Sequence, residues 1–281
     1  MQISTLLATL GGGAAALAGA YAIAIEQFHI HLRRLDLCFA NLPPAFDGYT
    51  ILHFSDLHLT KLGLLERRLM NLISAREVDA CLITGDITQD PRASDLFRRV
   101  CSVIRRRDTI LAVLGNSEHK PWLETPALVE ALSFEGMRLL VNSTDTIRRG
   151  DDSITVVGVD DAYTHHDDID AAFRGVDPKG FIIFLTHCPS LAPQGIERGA
   201  DLILAGHTHG GQVRLPFLGP LWTHMRANKN LNDGLYTPDR LRRTPKHPIL
   251  FVNRGVGTSK LHIRFLCPPE IVYITLRRDA G

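Results

Sequence analysis

From Tyr49 onward the chain repeats one pattern: a short apolar run, a polar turn, then a stretch whose apolar residues recur every three or four positions. YTILHF precedes a stripe of Leu62, Leu65, Leu69, Leu72 and Ile73, DACLIT precedes one of Leu96, Val100, Val103 and Ile104, and TILAVL follows. Short apolar runs bounded by turn residues predict buried strands, and the three-to-four spacing predicts helices with one apolar face. Their alternation predicts parallel pairing through right-handed crossovers. The second half is richer in strands, expected at residues 144–148, 153–159, 180–186, 201–205, 249–253 and 271–276. Residues 28–39 (FHIHLRRLDLCF) alternate loosely, as an edge strand does, before the Leu42-Pro43-Pro44 break. The expected architecture is therefore α/β, with two stacked mixed β-sheets flanked by helices.

The pattern fails at the N-terminus, where residues 1–25 carry no charged side chain. As a helix, residues 3–25 would be roughly 35 Å long against a hydrocarbon core of about 30 Å. We read this as an N-terminal membrane helix. A cleavable signal peptide competes, since Ala18-Gly19-Ala20 supplies small residues, but the charged leader it wants is missing. A buried Ala/Gly helix is the third reading. Arg33 and Arg34 follow the apolar run, which by the positive-inside rule leaves the body on the cytoplasmic face of the inner membrane. Residues 1–27 are thus expected to be a membrane anchor or signal segment, and residues 28–281 the folded domain.

Composition narrows the classes. With 45% of positions apolar and 22% charged, the 281-residue chain can bury a core and is not disordered. Lys plus Arg number 31 against 30 Asp plus Glu, so no global basic field points to nucleic acid. The five cysteines include no C-x-x-C pair and read as reduced core thiols.

The candidate chemistry lies where the predicted strands end. YTILHFS runs into Asp56-Leu57-His58, and residues two apart on a strand share a face. The following strands end at Gly85-Asp86, Gly115-Asn116, Thr186-His187 and Gly206-His207-Thr208-His209. In open α/β sheets this carboxyl edge is where ligands collect. Singly, each residue is more simply a turn or cap. Together, two carboxylates, four imidazoles and an amide form an oxygen and nitrogen metal constellation without thiolate. Seven ligands are too many for one tetrahedral ion and suit two ions sharing a carboxylate. Two divalent cations against Asp56 and Asp86 leave a centre near +2, which calls for an anion such as a phosphate ester. Glycine directly precedes Asp86, Asn116 and His207, consistent with tight backbone turns.

FSDLHL, GDITQD, LGNSEH, THCPS and GHTHGGQ, in that order, resemble the calcineurin-like metallophosphoesterases over about residues 47–277. The tail NRGVGTSKLHIRFLCPPEIVYITL, with NLPPAFDGYTILHFSDLHL, is similar to their membrane-anchored bacterial branch of the YaeI and YkuE kind, which includes UDP-2,3-diacylglucosamine diphosphatases of lipid A biosynthesis. The resemblance implies the αββα sandwich of that family and a dimetal phosphohydrolase acting on a phosphodiester or pyrophosphate. The implied substrate is a phosphorylated lipid or nucleotide sugar at the membrane surface. It assigns Asp56, His58 and His209 to one ion, Asn116, His187 and His207 to the other, and Asp86 to a bridge. The ions are expected to be Mn²⁺, with Fe or Zn as alternatives, in a monomer that binds no nucleic acid. Where the family has histidine after Asn116, this chain has Ser117, so His119 is expected to swing in as the acid beside Asn116 and Asp86, unless bound water or a good leaving group removes the need. A soluble nucleotide or nucleic-acid phosphodiesterase and a noncatalytic metal-binding scaffold remain alternatives.

Residues 214–246 hold Arg214, Arg226, Lys229, Arg240, Arg242, Arg243 and Lys246 against Asp233 and Asp239, near Phe217, Leu218 and Trp222. This is a solvated loop or a basic, partly apolar lip for anionic headgroups. Arg254 and Thr258 lie just after a predicted strand and could approach the substrate phosphate, and His165-His166 reads as a surface turn.

Overall fold

The computed structural model describes residues 12–13, 16–225, 228–239, 241 and 246–279. Within them the strands, in chain order, begin with β1 (His31–Phe39), β2 (Thr50–Phe54), β3 (Ala80–Thr84), β4 (Ile110–Val113) and β5 (Met137–Leu139). There follow β6 (Ser143–Arg149), β7 (Asp152–Gly158), β8 (Ile182–Leu185), β9 (Leu202–Ala205) and the short hairpin β10 (Arg214–Leu215) and β11 (Gly219–Pro220). The last are β12 (Gly234–Tyr236), β13 (Ile249–Val252) and β14 (Glu270–Arg278). One six-stranded sheet has the order β1-β14-β2-β3-β4-β5, the other β12-β13-β9-β8-β7-β6. Strands β2 to β5 run parallel, as do β7, β8, β9 and β13; the antiparallel pairs are β14 with β2, β6 with β7 and β12 with β13. Both sheets are mixed, and β1 is an edge strand.

Alternation of side chains explains the layers. Ile51, Ala80, Leu82 and Leu111 of the first sheet meet Ile183, Leu202, Leu204 and Phe251 of the second in one core between the sheets. Their neighbours Leu52, Phe54, Cys81 and Ile83 point the other way, onto α1 (Leu64–Ser74), α2 (Ser94–Ser102) and α3 (Thr125–Leu132). Leu69 and Ile73, Phe97, Val100 and Cys101, and Leu128 and Leu132 are the buried residues of those helices. On the far side, Phe184, Ile203 and Leu250 pack against α4 (Ile169–Ala172) and α5 (Ala192–Glu197), through Ile169, Ala192 and Ile196. Four layers result, helix, sheet, sheet and helix. Leu62, assigned to the first stripe, lies before α1, because the chain enters the helix at Leu64 with Glu66 accepting the Gly63 amide at 2.7 Å. Strands β5 and β12 and helix α3 carry too little periodicity to have been expected.

Residues 16–24 are helical, and residues 3–11 and 14–15 of the expected membrane helix lie outside the described residues. Among the described residues no helix is long and apolar enough to cross a membrane. The end of this segment is tied to the folded body. The Ala22 carbonyl accepts the Arg264 amide at 3.2 Å, and buried Glu26 accepts the amides of Leu266 at 3.0 Å and Cys267 at 2.6 Å. Packing therefore runs across the 27/28 boundary expected from the sequence.

Candidate metal centre

The loops leaving β2, β3, β8 and β9 stay paired after their strands end, and this sets the site. The amides of Asp56, His58 and Leu59 donate to the carbonyls of Gly85, Asp86 and Ile87 at 3.0, 2.9 and 2.8 Å, and Gly206 donates to His187 at 2.9 Å. A further loop, after β13, closes over them. Val256 and Gly257 donate to Ser55 and Asp56 at 3.0 and 2.7 Å, and buried Arg264 clamps that loop by donating to the carbonyls of Arg254, Gly255 and Gly257. To turn inward at these points, Asp56, His58, Asp86, His207 and His209 all take positive φ, between 47° and 69°. The glycines act differently from one another. Gly85 itself has φ of 80°, whereas Gly206 leaves room for the Ser55 hydroxyl and the Asp56 carboxylate, which a Cβ there would overlap.

Asp56, His58, Asp86 and His209 each offer a ligand atom within 4.8 Å of the others. His58 Nε2 lies 3.1 Å from His209 Nε2 and 3.4 Å from Asp86 Oδ2, and His209 Nε2 lies 3.3 Å from Asp56 Oδ1. The two rings are stacked, inclined by 17°, an orientation poor for an in-plane N–H···N bond. Their nitrogens instead converge on a common point. On the other side of Asp86, His187 Nε2 lies 3.4 Å from Oδ1 and 3.1 Å from His207 Nδ1. His187 Nδ1 is 2.8 Å from the Thr84 carbonyl, which only accepts, so Nδ1 carries a proton and Nε2 faces the site. Asn116 is half-buried and lines the same pocket, of about 250 Å³. Six of the seven expected ligands are thus linked by these distances, and the seventh shares their pocket.

The cluster suits cations. Asp56 Oδ1, which faces His209 Nε2, is buried without a hydrogen-bond partner, a costly state for an acceptor unless something positive supplies the interaction. Burial pushes the Asp56 carboxyl up, assisted by the Asp86 charge. Burial also acts on Asp86, but His187 and His58 outweigh it and bring its pKa down to about 2. His187, opposed by burial, is lifted to about 9 by Asp86 and Asp56. Burial and the neighbouring His187 drop His207 to about 3, and burial takes His209 well below the usual range. Two neutral imidazoles beside two buried carboxylates form a donor set for divalent ions.

Glu118 and Ser117 shape the floor. Glu118 accepts from the amides of Asp86 at 3.1 Å, Thr88 at 2.9 Å and Gly115 at 2.7 Å, and its pKa is pushed up to about 8 by burial and by Asp86. The Ser117 amide donates to Asp86 Oδ1 at 2.7 Å, and its hydroxyl lies 3.3 Å from His58 Nδ1.

His119 does not reach the pocket. Its Nε2 donates to Asp160 Oδ1 at 2.7 Å and its ring stacks on His166 at 3.8 Å, so the expected inward swing would break a buried hydrogen bond and a ring contact. The residues that do line the mouth went unmarked in the sequence: His224, Tyr163, Lys120, Lys260 and Gln89. His224 packs edge-on to His207 and His209 at 6.1 and 6.4 Å, and burial and Lys260 lower its pKa. It sits in an irregular segment far from any strand-end motif, so only its residue type could have flagged it. Arg254 is not free to meet a phosphate, since Nε and Nη2 hold Asp233 at 2.9 and 2.7 Å; Thr258 does line the pocket. In the basic segment Arg214 pairs with Asp233 and Lys246 with Asp201, while Arg226, Arg240, Arg242 and Arg243 lie outside the described residues. Phe217, Leu218 and Trp222 are exposed.

The model of the calcineurin-like phosphoesterase family matches residues 49–211, which include every strand-end motif. The chain is 29% identical over 280 residues to the uncharacterized metallophosphoesterase YkuE of Bacillus subtilis, covering 97% of this chain and 95% of that protein. It is 27% identical to an uncharacterized metallophosphoesterase of Aquifex aeolicus, over 94% and 97% of the two chains. A third relative is the UDP-2,3-diacylglucosamine pyrophosphatase LpxG of Chlamydia trachomatis, 34% identical over 155 residues, 54% of this chain and 45% of that protein. With the family match spanning more than half of its length, the chain belongs to the calcineurin-like phosphoesterases and is a metal-dependent hydrolase.

Proposed function

We propose that the pocket holds two divalent cations and hydrolyses a phosphodiester or pyrophosphate bond in a lipid-linked substrate of the UDP-2,3-diacylglucosamine type at a membrane surface. The observation that carries this reading is the clustering of Asp56, His58, Asp86 and His209 around one point, with His187 and His207 adjoining across Asp86. Asp56, His58 and His209 would hold one ion, Asn116, His187 and His207 the other, and Asp86 both. Bound there, divalent cations would supply Lewis-acid polarisation of the phosphoryl group and a water of lowered pKa. The chain's own residues do the rest. The Ser117 amide and the Glu118 carboxylate, which accepts the Asp86 amide, fix Asp86, and Lys120 and Lys260 bring positive charge to the mouth, where an anionic ester enters. With His119 committed to Asp160, His224 is the imidazole placed to deliver a proton to the leaving oxygen.

The lipid-linked part rests on the similarity to LpxG and on the uncharged residues 1–25, which we take as an anchor holding residues 28–281 at the cytoplasmic face of the inner membrane. Mn²⁺ is the proposed ion and a monomer the proposed state. Assay of the full chain with Mn²⁺ on UDP-2,3-diacylglucosamine, beside UDP-N-acetylglucosamine, tests the substrate. Release of UMP from the first alone is expected, and equal rates would move the assignment to a soluble nucleotide phosphodiesterase.

A further inference from the structure

A second cavity, of about 500 Å³, adjoins the metal pocket and shares His58 and Thr258 with it. Away from those two residues one wall is apolar, with Leu57, Leu64, Leu65 and Phe28, and it faces the polar Gln27, Thr60 and Lys61. Two of the polar groups beside it are engaged: Glu66 accepts the Gly63 amide at 2.7 Å, and His262 Nδ1 lies 3.0 Å from the Thr258 hydroxyl. Phe28 ends the short helical turn Glu26–Phe28 that docks on Leu266 and Cys267. The cavity thus leads from the metal ligands to the root of the uncharged N-terminal run. Leu64 in that wall is 51% exposed, and Ile25, three residues before Phe28, is 56% exposed, apolar surface that water disfavours.

We infer that this cavity is the subsite for an apolar arm of the substrate: a phosphoester whose phosphorus lies in the metal pocket and whose acyl or alkyl chain passes His58 into the groove. The inference rests on the phosphoesterase reading of the pocket and adds where the lipid part goes. A chain leaving this way runs toward residues 1–25, so it need not be drawn wholly out of a bilayer in which they are anchored. Along the wall of Leu57, Leu64, Leu65 and Phe28 a sugar would leave hydroxyls without partners, whereas a hydrocarbon chain is matched there.

The test uses the full chain loaded with Mn²⁺ and p-nitrophenyl alkyl phosphates from methyl to octyl, each below its micelle concentration. Water adds to phosphorus, p-nitrophenolate leaves, and the alkyl phosphate keeps the arm, so one chromophore reports the whole series. The expected result is kcat/KM rising with arm length, by up to about fourfold per methylene until the groove is filled. Leu64→Glu places a charge in the groove at the first position of α1, where helices favour acids, and should cut the octyl-to-methyl ratio about tenfold. Leu64→Trp, which narrows the groove without charge, should cut it as well. Normal methyl ester hydrolysis with a flat series would overturn the groove while leaving the phosphoesterase standing. A steep series unaffected by either variant would place the arm elsewhere and overturn it too. No hydrolysis of any member would remove both readings.

Discussion

Five residues proposed to hold metal sit in left-handed backbone, which costs a non-glycine residue roughly 1–2 kcal/mol. Such strain persists only where the surroundings enforce it, here the paired loops after β2, β3 and β9. Asp56→Asn should therefore lower metal content sharply yet leave the metal-free chain equally or more stable, because asparagine tolerates this backbone and carries no buried charge. Metal analysis and melting in chelator check both halves, and a large drop in Tm would show that the carboxylate is structural. The pH dependence follows from His187. Its folded pKa of about 9 lies above the ordinary 6.5, so its contribution to metal-free stability is full below about 6.5 and is lost as pH rises through 9. Cations compete with that proton, so their affinity should climb about tenfold per pH unit on approaching 9. Calorimetric titration at pH 6.5, 7.5 and 8.5 measures this, and a flat profile would detach His187 from the centre.

The proton donor is the second question at this scale. His224→Ala should slow alkyl esters at least about tenfold more than p-nitrophenyl esters, since only poor leaving groups need protonation. His119→Ala should slow both classes alike and lower stability by about 1–3 kcal/mol, because it leaves buried Asp160 without its partner. The reverse pattern would restore His119 as the acid.

At the scale of elements, the strand ends are what the sequence made legible. The continuous apolar runs of TILHF and ACLIT are visible without coordinates as strands buried on both faces, and so is the meeting of Asp56, Asp86, His187 and His207 along the carboxyl edge of adjacent parallel strands. Side-chain pairing between distant segments is not visible in that way. His119 looked available because nothing local opposes its turning inward; Asp160, 41 positions away, does. His224 looked idle because its neighbours in sequence are not its neighbours in space. The glycines illustrate the same divide. Gly206 reads as a turn residue, but its φ is ordinary and what it supplies is space for Ser55 and Asp56. Gly206→Ala should displace the Asp56 carboxylate, weaken metal binding and cost about 1–3 kcal/mol; unchanged metal content would refute that role. Glu26 shows how far the folded body extends. Its carboxylate holds the Leu266 and Cys267 amides, and the Cys267 thiol reaches the His209 carbonyl at 3.3 Å. Deleting residues 1–27 would orphan those amides, so a truncation meant to remove only the apolar run has to stop before Ala22.

For the whole molecule, two six-stranded sheets back to back bring the ends of β2, β3, β8 and β9 to one rim, and that rim carries the site. The near-neutral net charge of +1 leaves substrate attraction to the local charge at the pocket rather than to a global field. The central claim is that this rim is a two-ion phosphoesterase. Titrating Mn²⁺ into the chelator-stripped full chain while following hydrolysis of bis(p-nitrophenyl) phosphate tests it most directly. The account predicts no turnover without metal and a rate that saturates at about two equivalents per chain. Full activity in chelator, or no turnover with Mn²⁺, Fe²⁺ or Zn²⁺ at any concentration, would contradict it.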